Sequence, residues 1–382
     1  MTVTITADAG TLDVTPQGWS EPQTPVQAAA LEVIGAVISL PAGGNADDHP
    51  YALVLDPDAA QDWLGLVYGR QVAQACRELR HGQAREVPAE VSDTTRALTD
   101  LARACWVERW WPSATASLPG ADQAALDLDR GLLAARAGRC LEAEPLAWLA
   151  GGIRGLGRLI SLVAELTGAR RERADRLLRE SVAAAAYLLD PDTTEAQAAA
   201  AYQDHWDAED AEVAQLLASW PNDEPIEAEP ALMAGGGGPD EARYQTVDWL
   251  QVPARSVSGN EDNVVITTTD SGLTISVEAG DQPVPRLHAR LFGDEPLPTV
   301  VRLEHQPGHR RYQATTTAAC SRLDIADLRR PPSEVFPPRP DPVAYQDRRL
   351  VRAVLRRRLD SQAARPLLAE LLAAADAGLP AW

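Results

Sequence analysis

The chain has 382 residues, of which 45% are hydrophobic and 24% charged, so its composition is that of a folded globular protein and excludes wholesale disorder. Its 55 acids and 35 bases give a net charge of -20, which disfavours nonspecific binding to nucleic acid or to anionic membranes. Every base is an arginine, and this excludes chemistry that needs a P-loop lysine, a Schiff-base lysine or the strand lysine of protein kinases.

The first sixty residues alternate as strands do, with TVTIT and TLDVT on either side of the turn-like ADAG. From Asp58 onward the apolar period becomes helical, and the pattern predicts six helices up to about Ser219. Asp192 and Glu195 have the spacing of a capping box at the start of the sixth. The sequence therefore predicts a mostly helical N-terminal domain, residues 1–225, that begins with a small β element.

The composition changes in the second half of the chain. Residues 190–241 contain 14 acids and no arginine, and their last part, 226–243, has the proline, glycine and acid content of a linker. Six short strands separated by turns follow in 244–330, which predicts an immunoglobulin- or fibronectin-like β-sandwich. Six prolines in 331–342 predict a stiff spacer, and 343–382 predict a basic amphipathic helix. The predicted fold class is α+β.

The segment AGGIRGLGR, residues 150–158, comes closest to a cofactor signature. A dinucleotide loop needs G-x-G-x-x-G directly after a strand, but here the order is G-G-x-x-G-x-G and the preceding residues are typical of helix or loop. No lysine follows to bind a terminal phosphate. The pattern favours a break between two packed helices, with Arg154 and Arg158 as candidate residues for binding an anionic cofactor or metabolite.

Three tryptophans lie close together near the end of a predicted helix. Trp106 and Trp110 share one face of the helix, which is typical of core residues. Trp111 lies about 100° around the helix, directly before the helix-ending Pro112. Because tryptophan is enriched at binding hot spots, Trp111 is a candidate interface anchor as well as a candidate core residue.

The C-terminal helix is rich in arginine and also points to contact with proteins. Arg349, Arg352 and Arg356 lie beside its apolar face and are the candidate interaction residues. One predicted partner for this helix is the acidic region 190–241, in the same chain or in a neighbouring copy.

No local motif predicts a metal site, a cofactor or a catalytic residue. The six histidines form neither H-E-x-x-H nor H-x-H, although a cysteine and a histidine that meet only in space remain an open alternative. Two groups could hold a metal ion, but solvated positions are commoner for both; they are Asp204, His205, Asp207 and Asp210, and His288, His305 and His309.

The spacing of the cysteines and the length of the apolar runs indicate the cellular compartment. No two cysteines form a C-x-x-C pair, which is typical of a reduced cytosolic chain; they are Cys76, Cys105, Cys140 and Cys320. MTVTITADAG lacks the features of a signal peptide, and no uninterrupted apolar run reaches the length of about 18 residues that a membrane span needs. We expect a cytoplasmic protein without membrane contact.

These patterns together favour a non-enzymatic bacterial adaptor, a subunit that binds other proteins in a multi-component assembly. The main catalytic signatures are missing, and the charged segments have opposite signs suited to specific docking. One alternative is an enzyme or sensor that binds an anionic small molecule near 150–158. A second is nucleic-acid binding through the arginine-rich helices, which the charge of the whole molecule opposes.

Overall fold

The structure is a computed structural model. It describes residues 1–8, 10–44, 48–115, 118–141, 145–204, 242–269, 272–293, 297–318, 321–329, 341–360 and 365–377. The chain forms two compact units, each built from segments that are separate in sequence. The first unit comprises Met1–Glu108, Ala121–Glu224 and Arg356–Trp382, and the second comprises Arg109–Gly120 and Pro225–Leu355.

The first unit contains a six-stranded antiparallel sheet. Its strands are β1 (Thr2–Asp8), β2 (Thr11–Pro16), β3 (Ala28–Val33), β4 (Ala36–Pro41), β5 (Tyr51–Val54) and β6 (Ala84–Pro88). They lie in the order β3-β4-β5-β2-β1-β6. The alternation in TVTIT buries Val3 and Ile5 on one face and turns threonines to the other, as expected for a half-covered antiparallel sheet.

Two helices cover the apolar face of this sheet. They are α1 (Pro57–Val67) and α2 (Arg70–Glu78), and Asp56 caps α1 by accepting hydrogen bonds from the backbone N–H groups of Asp58 and Ala59. Trp63 and Val72 from these helices join Ile5 and other apolar strand residues in one core. The Trp63 Nε1–H donates to the Ile34 carbonyl at 2.7 Å, which satisfies the polar edge of a buried indole.

Further helices complete the first unit. They are α3 (Asp93–Trp110, whose last two residues belong to the second unit), α4 (Gln123–Ala137), α5 (Leu146–Arg154), α6 (Leu156–Glu165), α7 (Gly168–Leu188) and α8 (Thr194–Asp204). Close contacts join α4 with α5 and α7 with α8. The sixth predicted helix is described only as α8, because the acidic residues from 205 to 241 lie outside the described residues.

The predicted break in 150–158 is confirmed. Helix α5 ends at Arg154, α6 begins at Leu156, and the two are bent by 66°. The glycines lie against α4: a Cβ at Gly152 would come within 2.5 Å of the Leu128 Cγ, and one at Gly155 would collide with the Ala124 Cβ. Glycine is therefore needed here because two helices approach closely.

The second unit contains a seven-stranded antiparallel sheet. Its strands are β7 (Ala242–Gln245), β8 (Val264–Thr269), β9 (Gly272–Glu278), β10 (Arg286–Phe292), β11 (Thr299–Gln306), β12 (Arg311–Thr316) and β13 (Arg322–Ala326), in the order β13-β10-β11-β12-β9-β8-β7. A short 3-10 helix, Trp249–Gln251, follows β7.

Two helices lie in the C-terminal region, α9 (Asp341–Asp360) and α10 (Leu368–Asp376). The single helix predicted for this region is wrong, because Pro366 lies just before α10 and proline cannot continue a helix from the preceding turn. Of the predicted spacer 331–342, the part up to 340 lies outside the described residues, and Asp341 and Pro342 already belong to α9.

The predicted fold class, a helical body with a small β element followed by a β-sandwich, is wrong. The N-terminal β element is a full six-stranded sheet, to which β6 returns after two helices. The second β region is one sheet that curls toward itself, since the Gln245 Nε2–H of the first edge strand donates to the Leu323 carbonyl of the last at 2.8 Å. Short alternating strands are common to sandwiches and curled sheets, so the pattern did not distinguish them.

Candidate functional site

Helix α9 carries the strongest concentration of positive charge in this acidic chain. Six of the eleven residues from Arg348 to Arg358 are arginines, and none is acidic. Val351, Leu355 and Leu359 recur at helical spacing and are buried. The helix is amphipathic, and the arginines lie along the borders and the back of its apolar stripe.

Three arginines of α9 bind groups of the chain itself. Arg348 donates to the Val247 carbonyl at 2.8 Å. Arg352 donates to the Gly259 carbonyl at 2.7 Å and pairs with Glu261 at 2.6 Å, and Arg358 pairs with the buried Glu370. Guanidinium groups suit this use because one planar head can serve several acceptors. The structure therefore places Arg352, a predicted interaction residue, in an internal contact.

Arg349, Arg356 and Arg357 form the exposed set, which we call the α9 arginine face. None of the three forms an ion pair with any residue that the structure describes. Positions 349 and 356 are seven residues apart, so they lie two turns apart on the same side of the helix. Tyr345 is 42% exposed one turn earlier, and the guanidinium of Arg349 lies 5.9 Å from its ring centroid. This face combines an aromatic ring with positive charge that no described carboxylate pairs with.

Arg154 and Arg158, the predicted anion-binding residues, each lie beside a different carboxylate. Arg154 pairs with Glu195 at 3.1 Å, and Arg158 pairs with Asp122 at 2.7 Å. The guanidinium of Arg154 is more than half exposed, whereas Asp122 is largely buried. Because packing explains the glycines and carboxylates neutralise both arginines, the geometry lends no support to a phosphate cradle, and binding of an anion here stays a prediction.

Trp111 lies in the core. Its side chain is 1% exposed, and its Nε1–H donates to the Pro119 carbonyl at 2.8 Å. Trp106 and Trp110 are also buried, as predicted. The surface of Trp111 is covered by the chain itself, so of the predicted interaction residues only Arg349 and Arg356 lie exposed.

A buried ionic pair crosses two strands of the second sheet. Arg290 on β10 lies directly opposite Asp324 on β13, and its guanidinium donates to that carboxylate and to the Gln251 side chain. Burial raises the pKa of Asp324, and the charge of Arg290 opposes that shift. The pair links adjacent strands and keeps its polar groups satisfied, which suits a structural role. No sequence motif marks it, since the register of the strands creates it.

The thiols and histidines that the structure describes are dispersed. Cys76 and Cys140 are buried, and burial raises the pKa of each thiol to about 11, which disfavours the reactive thiolate. His288 accepts a hydrogen bond from the Leu328 N–H, and His305 packs against an aromatic ring. In the described ranges no group of three or more histidine, cysteine or acidic side chains has the arrangement of a metal site. His205, Asp207 and Asp210 lie outside those ranges, as does Cys320.

Within the described helices, no single one is long and apolar enough to cross a bilayer; α5 and α6 reach that length and apolarity only as a bent pair. Comparisons with protein-family models, with curated protein sequences and with solved structures found no match.

Proposed function

We propose that the protein is a non-enzymatic, cytoplasmic adaptor that binds acidic surfaces of other proteins through the α9 arginine face. The observation that carries this proposal is the division of the α9 arginines into two sets. Arg348, Arg352 and Arg358 have internal acceptors, whereas Arg349, Arg356 and Arg357 are exposed and have no ion-pair partner among the described residues.

The net negative charge of the chain bears on how the two sets of α9 arginines are interpreted. The chain has a net charge of -20, and some of its exposed arginines pair with its own carboxylates, as Arg136 does with Glu180 and Arg154 with Glu195. On α9, Arg349, Arg356 and Arg357 pair with no carboxylate in the described part of the chain, and we propose that carboxylates of a partner protein bind them. Arginine forms bidentate bonds with such groups, and Tyr345 adds apolar contact area beside them.

The energy of each contact is modest. An exposed ion pair contributes about 0.2–1 kcal/mol, so three pairs and a tyrosine give a moderate, salt-sensitive affinity and a fast, steered association. This behaviour suits a subunit that exchanges partners. The cytoplasmic location is part of the proposal and is supported by the free thiols of Cys76, Cys105 and Cys140.

The acidic region 190–241 is one proposed partner for this face, in the same chain or in another copy. Its residues beyond 204 lie outside the described residues. Binding of nucleic acid to the same arginines is the competing proposal, because phosphates and carboxylates both accept bidentate guanidinium bonds.

Affinity capture from the native host tests the proposal with three forms of the full chain. One is unchanged, one carries R349E, R356E and R357E, and the control carries R139E, R171E and R176E, which reverse three other exposed arginines. Point variants are needed because removing the C-terminus would also remove α10, which packs on α4 and α7.

We expect the unchanged and control chains to retain the same proteins and the α9 variant to lose them. Identical recovery from all three chains contradicts the proposal. Recovery that disappears after nuclease treatment favours nucleic acid as the ligand.

A further inference from the structure

The six-stranded sheet of the first unit has a second face, opposite α1 and α2. Alternation turns Thr4, Thr6 and Thr15 to this face, together with the carboxylates of Asp13, Glu32 and Glu86. No strand position on this face is an arginine, because Arg85 points to the other side with Ile5. It is therefore an acidic surface on a sheet whose other side is packed.

The strand registers align four residues of this face in one row. Glu32 pairs with Val37, Val37 with Leu53, and Leu53 with Asp13, across β3, β4, β5 and β2. Three steps between neighbouring strands place the two carboxylates about 14 Å apart. Half-buried Val37 and Leu53 lie between them. The row thus has acidic ends and an apolar centre.

Two aromatic residues lie at the Asp13 end of the row. The Tyr51 hydroxyl donates to the Asp13 carboxylate, and Trp19 stacks on the Tyr51 ring with 5.3 Å between centroids and 9° between planes. Burial and the neighbouring Asp13 raise the pKa of Tyr51, so the phenol keeps its proton and remains the donor. A carboxylate bonded to the phenol of a stacked tyrosine–tryptophan pair suits a guanidinium, which binds the charge and stacks on an aromatic ring.

We propose that this sheet face is a second docking surface, which takes an extended partner segment with two basic residues four positions apart and an apolar residue midway. In an extended chain, about 14 Å corresponds to roughly four residues, and residues separated by two or four point to the same side. One basic side chain then meets Glu32, the other meets Asp13 and Trp19, and the apolar one meets Val37 and Leu53. This proposal does not depend on α9, and it gives the protein two docking surfaces of opposite charge.

The test is fluorescence anisotropy of the full chain with two labelled peptides of equal composition. One contains Arg-Ser-Leu-Ser-Arg, and the other contains Arg-Arg-Ser-Leu-Ser, which breaks the spacing. The variants are Asp13→Asn, which keeps an acceptor for Tyr51, Glu32→Gln and Trp19→Ala. The control is Asp62→Asn, an exposed carboxylate of α1 on the opposite side of the sheet. Circular dichroism checks that each variant is folded.

We expect the first peptide to bind more tightly than the second. Each of the three face variants should weaken its binding by about threefold, whereas Asp62→Asn should leave it unchanged. Equal binding of both peptides, or an equal loss in the control, would show general attraction to an acidic protein and overturn the proposal. Concentration-dependent dimers that the face variants abolish would overturn it too, since a second copy would then be the occupant.

Discussion

Asp129 and Leu368 are 239 positions apart in sequence, yet the Asp129 Oδ1 accepts a hydrogen bond of 2.8 Å from the Leu368 backbone N–H. The Oδ2 of Asp129 accepts a second bond from the Ala369 N–H at 3.1 Å. A carboxyl group on α4 thus caps α10, whose own N-cap residue, Leu367, has no side-chain atom that can accept a hydrogen bond. Glu370, which pairs with Arg358, completes a buried polar cluster around this helix end.

Removal of this cap should destabilise the first unit. Asp129→Ala leaves two buried N–H groups without acceptors, and we expect it to lower the free energy of unfolding by about 1–3 kcal/mol. Asp129→Asn keeps an acceptor and should cost less than half of that. Urea denaturation followed by circular dichroism measures both. Equal costs for the two variants would show that the retained acceptor does not matter, and would contradict the capping role of Asp129.

Asp129 should also make stability depend on pH. Burial raises its pKa to about 8, against the hydrogen bonds from Leu368 and Ala369, which lower it. Between its unfolded pKa of about 3.9 and about 8, the folded protein holds a proton that the unfolded chain releases. The contribution of this group is therefore fully present below about pH 4 and is lost as the pH rises through about 8.

The matched variant for this effect is Asp129→Asn, which does not titrate. We expect the unfolding free energy of the wild type, relative to this variant, to fall by at least about 1 kcal/mol between about pH 5 and about pH 9. A difference that rises with pH would contradict burial as the dominant influence on this carboxyl.

A substitution at Arg109 tests whether its internal contacts need the planar guanidinium or only a positive charge. Its Nη2 donates to the carbonyls of Trp249 and Val252 at 3.0 and 3.2 Å, within the second unit. A lysine ammonium is a more compact donor on a flexible stem and does not reproduce the planar fork. Arg109→Lys should lower the free energy of unfolding by about 1–2 kcal/mol, and Arg357→Lys, at an exposed position, by less than about 0.5 kcal/mol. Thermal unfolding of both variants checks this, and equal effects would show that any cation suffices at Arg109.

The glycines of the α5–α6 break make a further prediction. Gly152→Ala introduces a Cβ against Leu128 and should cost about 1–3 kcal/mol by overpacking. The control is Gly65→Ala in α1. The Cβ that this change adds lies 3.7 Å from the Ala73 Cβ, which is an ordinary contact. We therefore expect the control to be neutral or stabilising. Equilibrium denaturation compares them. A neutral Gly152→Ala would remove the packing explanation for this segment.

Local patterns predicted local features well. The break near Gly155 and the burial of Trp106 and Trp110 follow from glycine spacing and helical periodicity, and both are confirmed. The return of β6 to β1 was missed because Ala84–Pro88 is a short, mostly exposed edge strand without apolar alternation. The contact that joins Gln245 to Leu323 has no local signal, so the curled sheet was predicted as a sandwich.

The same limit applies to the candidate surfaces. Arginine content marked α9, but helical periodicity alone did not separate Arg352, which is held by Glu261, from the exposed Arg349 and Arg356. The row from Glu32 to Asp13 depends on three strand registers, and no single segment carries it.

The most direct measurement of the central claim is a titration of the full chain with a labelled oligoglutamate peptide. The R349E, R356E, R357E variant should bind at least about tenfold more weakly than the wild type, since three exposed pairs of about 0.5 kcal/mol each are lost. The control that reverses Arg139, Arg171 and Arg176 should differ from the wild type by less than about twofold, since the proposed face is intact. Equal weakening in both variants, or no weakening in either, would contradict a specific role for the α9 arginine face.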